Sequence, residues 1–326
     1  MRHFKQTKAA VILLLFSLVV AVGGIVLIAG HRDDRQKSNT DEYIEQKMVL
    51  DSQLSKLKSE LRAIDTSVKG TVVWMFDQCQ TNVYDVAYKQ MSEFNFSGSV
   101  VFRDVLPGME GMITTAQWSE MQSAGWTPVL ASGDALLEKM GSDGYAEAVI
   151  AYVKDMNRQL AELGFREARA YAFAEDECTD ELMFELSKIG IEYYTAPNVE
   201  TRPAGEHGLL LRTEYMCSDP SAVTVQSALN AVRNKVDGVV LTTRFVMDGG
   251  ELSLDCTPIQ FRTKMLSLLF SYRGDGTVAV ATVETAAASY LGERSIYNSS
   301  VQKRADLQAK IEEVEQEIEE LWRKYR

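Results

Sequence analysis

The chain has 326 residues, a formal net charge of −12 and 46% hydrophobic residues. This apolar and charged content is that of a folded class, not a disordered one, and the length allows one large domain or two modest ones. The acidic balance, with no basic run in the body of the chain, argues against duplex nucleic acid as a partner, because phosphate binding needs a basic stripe.

Residues 1–8 form a short basic tail. Ala9 to Gly30 follows without a charge and almost wholly apolar, and about 20 such residues cross a bilayer core. A cleaved signal peptide has a shorter apolar core of about 7–15 residues, and Ala29 and Gly30 make only a weak cleavage site. Residues 9–30 are therefore predicted as an uncleaved transmembrane signal anchor. Arg2, Lys5 and Lys8 before the span balance Arg32, Arg35 and Lys37 after it. The N-terminal amine tips the positive-inside rule towards a cytoplasmic N-terminus. The expected location is the cell membrane, single-pass, with the remainder outside the cytoplasm.

After a polar linker, 31–42, the residues Tyr43, Lys47, Leu50, Leu54, Leu57, Leu61 and Ile64 alternate by four and three. This heptad spacing predicts a coiled-coil helix over 43–68. Leu307, Ile311, Val314, Ile318, Leu321 and Tyr325 repeat the spacing over 303–326. The two runs bracket everything else, so antiparallel pairing buries both stripes most simply. Glu312, Glu313, Glu315, Glu317, Glu319 and Glu320 repel a copy of themselves, and Lys56, Lys58 and Arg62 complement them. The alternative is a homodimer through the stalk, a four-helix arrangement. The tail Trp322, Arg323, Lys324, Tyr325 and Arg326 carries aromatic and basic groups suited to a lipid interface, so contact of Trp322 and Tyr325 with the bilayer is expected. A plain helix end, its cations complementing the dipole, is the other reading.

Between the stalk segments, β-rich runs at 71–77, 98–103, 127–131, 168–173, 191–195, 208–213, 237–243 and 277–282 alternate with helical patterns. These lie at about 82–94, 115–124, 144–163, 179–189, 221–234, 258–273 and 284–291. Thr257 before Pro258 is a helix start, and Gly190 is a stop. The alternation predicts an α/β fold, a (β/α) barrel over 71–291, regular or distorted. In such barrels the working residues follow the strands. Here those are Asp77, Gln78 and Cys79; Arg103 and Asp104; Ser132 and Asp134; Glu175, Asp176, Glu177 and Cys178; Arg212, Glu214 and Cys217; Thr243 and Arg244. The set is polar and mostly acidic, suited to a sugar, a cation or a basic peptide, or else a set of solvated loops. The rim residues chosen as binding candidates are Gln78, Arg103, Asp134, Glu175, Asp176, Glu214 and Arg244. Cys79, Cys178, Cys217 and Cys256 all follow the apolar span. In an exported domain they permit two disulfides in three pairings, and the alternative is four reduced thiols.

Val72 to Cys79, Phe94 to Phe102, Trp118 to Met121, Ala124 to Trp126, Tyr171 to Tyr194, Val239 to Thr243 and Thr277 to Ala288 follow the order of pieces of one family. In that order the region resembles the polysaccharide deacetylases, the NodB-homology domains, over most of 71–291. The resemblance implies hydrolysis of an acetyl group assisted by a divalent metal, which one carboxylate and two histidines spaced H-x-x-x-H hold. An aspartate acts as base and a late histidine as acid. Asp77 stands at the base position. Gln78 replaces the metal aspartate, the metal histidines fall near Ala131 or Ser132 and Ala135 or Leu136, and the late acid falls at Thr243. The only histidines are His3, His31 and His207. The expectation is a degenerate member without metal or cofactor, with Asp77 a relic. It would bind glycan or a partner protein at the cell envelope. The alternatives are a hydrolase or deacetylase built on carboxylates, with Asp77 and Glu175 as the pair, and a structural coiled-coil spacer.

Overall fold

A computed structural model describes residues 34–205, 208–215, 222–243 and 261–326. The predicted span 9–30, the helix start at Thr257, and Arg244, Cys217 and Cys256 lie outside them. No helix among the described residues is long and apolar enough to cross a membrane.

Seven parallel strands close a ring. They are β1 (Gly70–Phe76), β2 (Ser99–Phe102), β3 (Thr127–Leu130), β4 (Ala170–Ala172), β5 (Tyr193–Ala196), β7 (Gly208–Tyr215) and β8 (Gly238–Thr243). They pair in that order, and β8 and β2 both pair with β1. Two further strands lie off the ring. β6 (Arg202–Ala204) runs antiparallel to β7, and β9 (Val278–Ala281) runs parallel to β1. The distortion lies at β1. Its first half, Gly70 to Val73, takes β9 as a neighbour, whereas only Met75 and Phe76 pair with β2. The eighth predicted strand is thus a wedge in the splayed base of the seam, not an eighth stave. The Ser99 hydroxyl at the start of β2 accepts from the Val283 amide at 2.9 Å, just past β9.

Side chains alternate across the ring, as the pleat requires. Val73, Met75, Val101, Val129, Ala131, Ala170, Ala172, Leu209, Leu211 and Val240 form the inner cluster. Val72, Trp74, Phe76, Val100, Phe102, Leu130, Tyr171, Leu210, Val239 and Leu241 pack outward against helices. An eight-stranded barrel is only just filled by side chains; seven strands enclose less, and three alanines stand in the inner set. The aromatic bulk lies outside: Phe76 stacks on Trp126 at 5.6 Å, and Phe102 meets Trp118 edge-on at 5.0 Å.

The outer helices are α2 (Lys89–Glu93), α3 (Thr115–Ser123), α4 (Asp134–Leu137), α5 (Tyr145–Glu162), α6 (Asp180–Ser187), α7 (Ala222–Val232) and α8 (Ser267–Gly274). π-helical turns Val83–Tyr88 and Phe261–Leu266 lead into α2 and α8. Thr114 caps α3 through a reciprocal pair with Gln117. Gly190 sits at φ +90° after α6, the left-handed stop expected there. The closing helix and the second stalk helix are one element, α9 (Val283–Tyr325). The intervening 292–302 holds no proline, and a lone Gly292 costs a helix only about 1 kcal/mol. The first turns of α9 plug the base of the ring, with Val283, Ala286, Ala287 and Tyr290 joining the inner cluster.

The chain divides into two units, 66–299 and 1–65 with 300–326. In the second, α1 (Asp34–Ala63) starts inside the predicted linker and stops short of residue 68. Asp65, Thr66 and Ser67 follow, residue types that favour caps and turns over helix interiors. Tyr43 packs on Tyr325, ring centroids 5.6 Å apart, and Lys58 pairs with Glu315 at 2.8 Å, so the helices run antiparallel. That ion pair is half-exposed and contributes at most about 1 kcal/mol; Leu307, Ile311 and Leu321 are the buried contacts. Tyr325 is committed to the helix pair, whereas Trp322 is 49% exposed.

Candidate functional site

The inward alternation continues past the strand ends into the mouth of the ring. Two residues beyond Met75 stands Asp77, and two beyond Val101 stands Arg103. The guanidinium of Arg103 reaches the Asp77 carboxylate at 3.3 Å. Both are largely covered, with side chains 24% and 11% exposed. Two beyond Leu211 and Val240 come Thr213 and Thr242. Their buried hydroxyls, like Nε of Arg103, have no hydrogen-bond partner. Thr242 is level with Met75, one inward position before Asp77, and Thr213 lies lower, level with Val73, so the inner wall below the pair carries polar groups. The sequence reading missed Thr213 and Thr242. Their signal was the period-two spacing from apolar inner residues.

A second polar cluster lies on the outer side and holds the loop after β4. Glu177 is 2% exposed. Its Oε1 accepts from the hydroxyls of Ser132 at 2.9 Å, Tyr145 at 2.6 Å and Tyr171 at 2.8 Å. Its Oε2 accepts from the Ala174 amide at 2.8 Å. Burial first, and then the Glu177 contact, raises the hydroxyls of Tyr145 and Tyr171 well above the usual tyrosine range. They therefore stay protonated and serve as donors.

The predicted rim residues do not form one cluster. Asp77 and Arg103 come together. Glu175 and Asp176 are exposed, and Glu175 takes Asn198 as donor at 3.1 Å. Asp134 opens α4 and is exposed, and Gln78 accepts from Gln80. Glu214 does not belong to the rim, because β7 runs on to Tyr215. It falls within that strand on the outward alternation and pairs with Arg212 at 3.4 Å. Asp104, not chosen as a candidate, lies directly over Gly133: a Cβ there would meet its Oδ2 at 1.6 Å.

Cys79 and Cys178 are free thiols; Cys217 and Cys256, the other two members of the two-disulfide reading, lie outside the described residues. Burial pushes the Cys79 thiol up to about 12 and that of Cys178 up to about 11. Because the thiolate is the nucleophile, the native protein at about pH 8 should label with iodoacetamide at Cys79 only after unfolding. Rapid native labelling of Cys79 would contradict its placement. The linkage has a definite sign. An unfolded thiol ionises near its ordinary value of 9.0 and the folded one at about 12. The stability present below the first value is therefore lost as pH rises towards the second.

The described residues at the positions the resemblance gives to metal ligands do not fit a divalent metal. Ser132 turns its hydroxyl to Glu177 and Tyr171, Gln78 is neutral, and a guanidinium already engages Asp77. Among the described residues no group of three or more His, Cys, Asp or Glu is placed to hold a metal ion.

No family model matches the chain, and no curated protein does. Solved structures show a likeness of fold. A deacetylase with substrate is 13% identical at a TM-score of 0.42, over 69% of this chain and 94% of that one. A peptidoglycan deacetylase from Bacillus subtilis is 10% identical at 0.43, over 73% and 99%. A 4-alpha-glucanotransferase from Thermococcus litoralis is 14% identical at 0.42, over 69% of this chain and 40% of its own length. Likenesses at this level transfer no residue role, and one fold hosts many chemistries.

Proposed function

We propose that the protein is a membrane-anchored, extracytoplasmic pseudo-enzyme of the polysaccharide deacetylase type, which binds glycan at the mouth of its barrel. The observation that carries this reading is the Arg103–Asp77 pair. The one catalytic residue kept by the resemblance is held by a guanidinium, and Gln78 stands where the resemblance puts a metal carboxylate. At the mouth, the guanidinium of Arg103 and the carboxylate of Asp77 supply the donor and acceptor that a polyhydroxylated ligand needs. The uncharged run 9–30 supplies the anchor in this proposal, and the half-exposed Trp322 is suited to reach headgroups.

The test uses the full chain in a neutral detergent, with zinc, cobalt or manganese added. Acetyl release is measured on acetylated chitooligosaccharides and xylan, and binding on a glycan array. No acetyl release is expected, together with saturable glycan binding that Arg103→Ala weakens by about tenfold or more, the loss of a charge-assisted contact. Acetyl release abolished by Asp77→Asn would sink the proposal. Capture of an envelope protein with no glycan bound would replace the ligand class.

A further inference from the structure

The opposite end of the barrel carries a cavity of about 500 Å³. It lies where the loop before β8 meets the first turns of α9, away from the mouth. The base of such barrels ordinarily serves stability, yet this cavity is lined by Arg212, Lys235 and Arg294. Asp237, Glu200 and Glu214 balance them in formal charge, but Lys235 and Arg294 have no ion-pair partner among the described residues. Asp237 is used by the Gly238 amide at 2.8 Å, and Glu200 is exposed. Arg212 meets Glu214 only at 3.4 Å, and its Nε and Nη2 are buried without a hydrogen-bond partner. Lys235 is exposed, and Arg294 donates to the neutral Tyr290 hydroxyl at 2.8 Å.

We propose that this floor cavity binds a small phosphate monoester carrying a ring, such as a sugar phosphate. The Arg212 guanidinium keeps Nη2 without an acceptor, and a planar fork suits a tetrahedral oxyanion in geometry. Lys235 and Arg294, neither of them in an ion pair, stand beside it as two positive charges for a phosphate monoester of about −1.5 to −2 at pH 7. The volume lies in the small-molecule range of about 300–1,000 Å³, far more than a bare anion needs. Tyr297, 40% exposed on the cavity wall, gives the ring a face to lie against.

The full chain would be titrated calorimetrically at low salt with glucose 1-phosphate, phenyl phosphate, inorganic phosphate and glucose. The expected result is saturable binding of at least one ring-bearing ester in the roughly millimolar range or tighter, weaker binding of inorganic phosphate, and none of glucose. Lys235→Glu, at an exposed position, should leave the fold intact by circular dichroism and weaken the ester by about tenfold or more. A double variant, Lys235→Gln with Arg294→Gln, should do the same. Absence of saturable ester binding overturns the proposal, as does binding that Lys235→Glu leaves unchanged. Inorganic phosphate binding as tightly as the esters overturns the ring-bearing class.

Discussion

Glu177→Ala should lower the unfolding free energy by about 3–5 kcal/mol, whereas Glu175→Ala, two residues earlier, should change it by less than about 0.5 kcal/mol. Alanine at 177 leaves the Tyr145 hydroxyl and the Ala174 amide without an acceptor, and the Ser132 and Tyr171 hydroxyls with only each other, around a space that was filled by carboxylate. Each group left unsatisfied costs about 1–3 kcal/mol, less whatever water recovers. Glutamine at 177 keeps one acceptor oxygen and turns a donor towards other donors, so Glu177→Gln should fall between the two. Glu175 is exposed, and its one partner, Asn198, is exposed as well. Urea unfolding followed by tryptophan fluorescence reads the barrel, since Trp74, Trp118 and Trp126 are all buried there. Equal, small effects at both positions would show that the hydroxyl cluster does not hold the loop after β4.

Gly70→Ala should cost about 3 kcal/mol, at the upper end for overpacking, while Gly274→Ala should stabilise by about 0.4–1 kcal/mol. The backbone at Gly70 is not left-handed, so conformation is not what requires glycine there. A Cβ would lie 2.3 Å from the Val232 carbonyl oxygen at the end of α7. The obstacle is backbone, and no rotamer relieves it. To admit a methyl group, α7 must lift away from the first residue of β1, the strand on which β8 and β9 also pair. Gly274 closes α8, and its added methyl group would meet nothing within 4 Å. Thermal and urea unfolding of the two variants check the pair. A neutral Gly70→Ala would mean that the approach of α7 to β1 is looser than described.

The strand order was legible because apolar runs and helical patterns alternate, and all eight predicted strands form. Three features escaped. β6 is only Arg202, Pro203 and Ala204, with no periodicity to read, and its proline is tolerable because it lies off the ring. The wedge role of β9 depends on how far β1 leans from β2, which no local pattern records. α9 reads as two helices because Gly292 and the polar run Asn298, Ser299 and Ser300 imitate a linker. At the site, Asp77 and Arg103 could be named from their places after strands. Glu177 could not be told from Glu175 or Asp176, because its partners Ser132 and Tyr145 lie 45 and 32 residues away. Glu214 was misplaced by a strand end set two residues too early, and in a period-two structure a small error of boundary decides whether a residue stands in a strand or in the rim.

The shared edge of β1 also sets a timetable. Residues 70–73 pair with 278–281, about 200 residues later in the chain. Synthesis proceeds at roughly 5–20 residues per second, so the base of that edge waits roughly 10–40 s for its partner on the ribosome. An open strand edge is a template for pairing with other chains. Whatever escorts the nascent polypeptide must therefore shield its first strand until nearly the whole barrel sequence has emerged. A stop codon placed before residue 278 should yield a chain that aggregates instead of a smaller barrel.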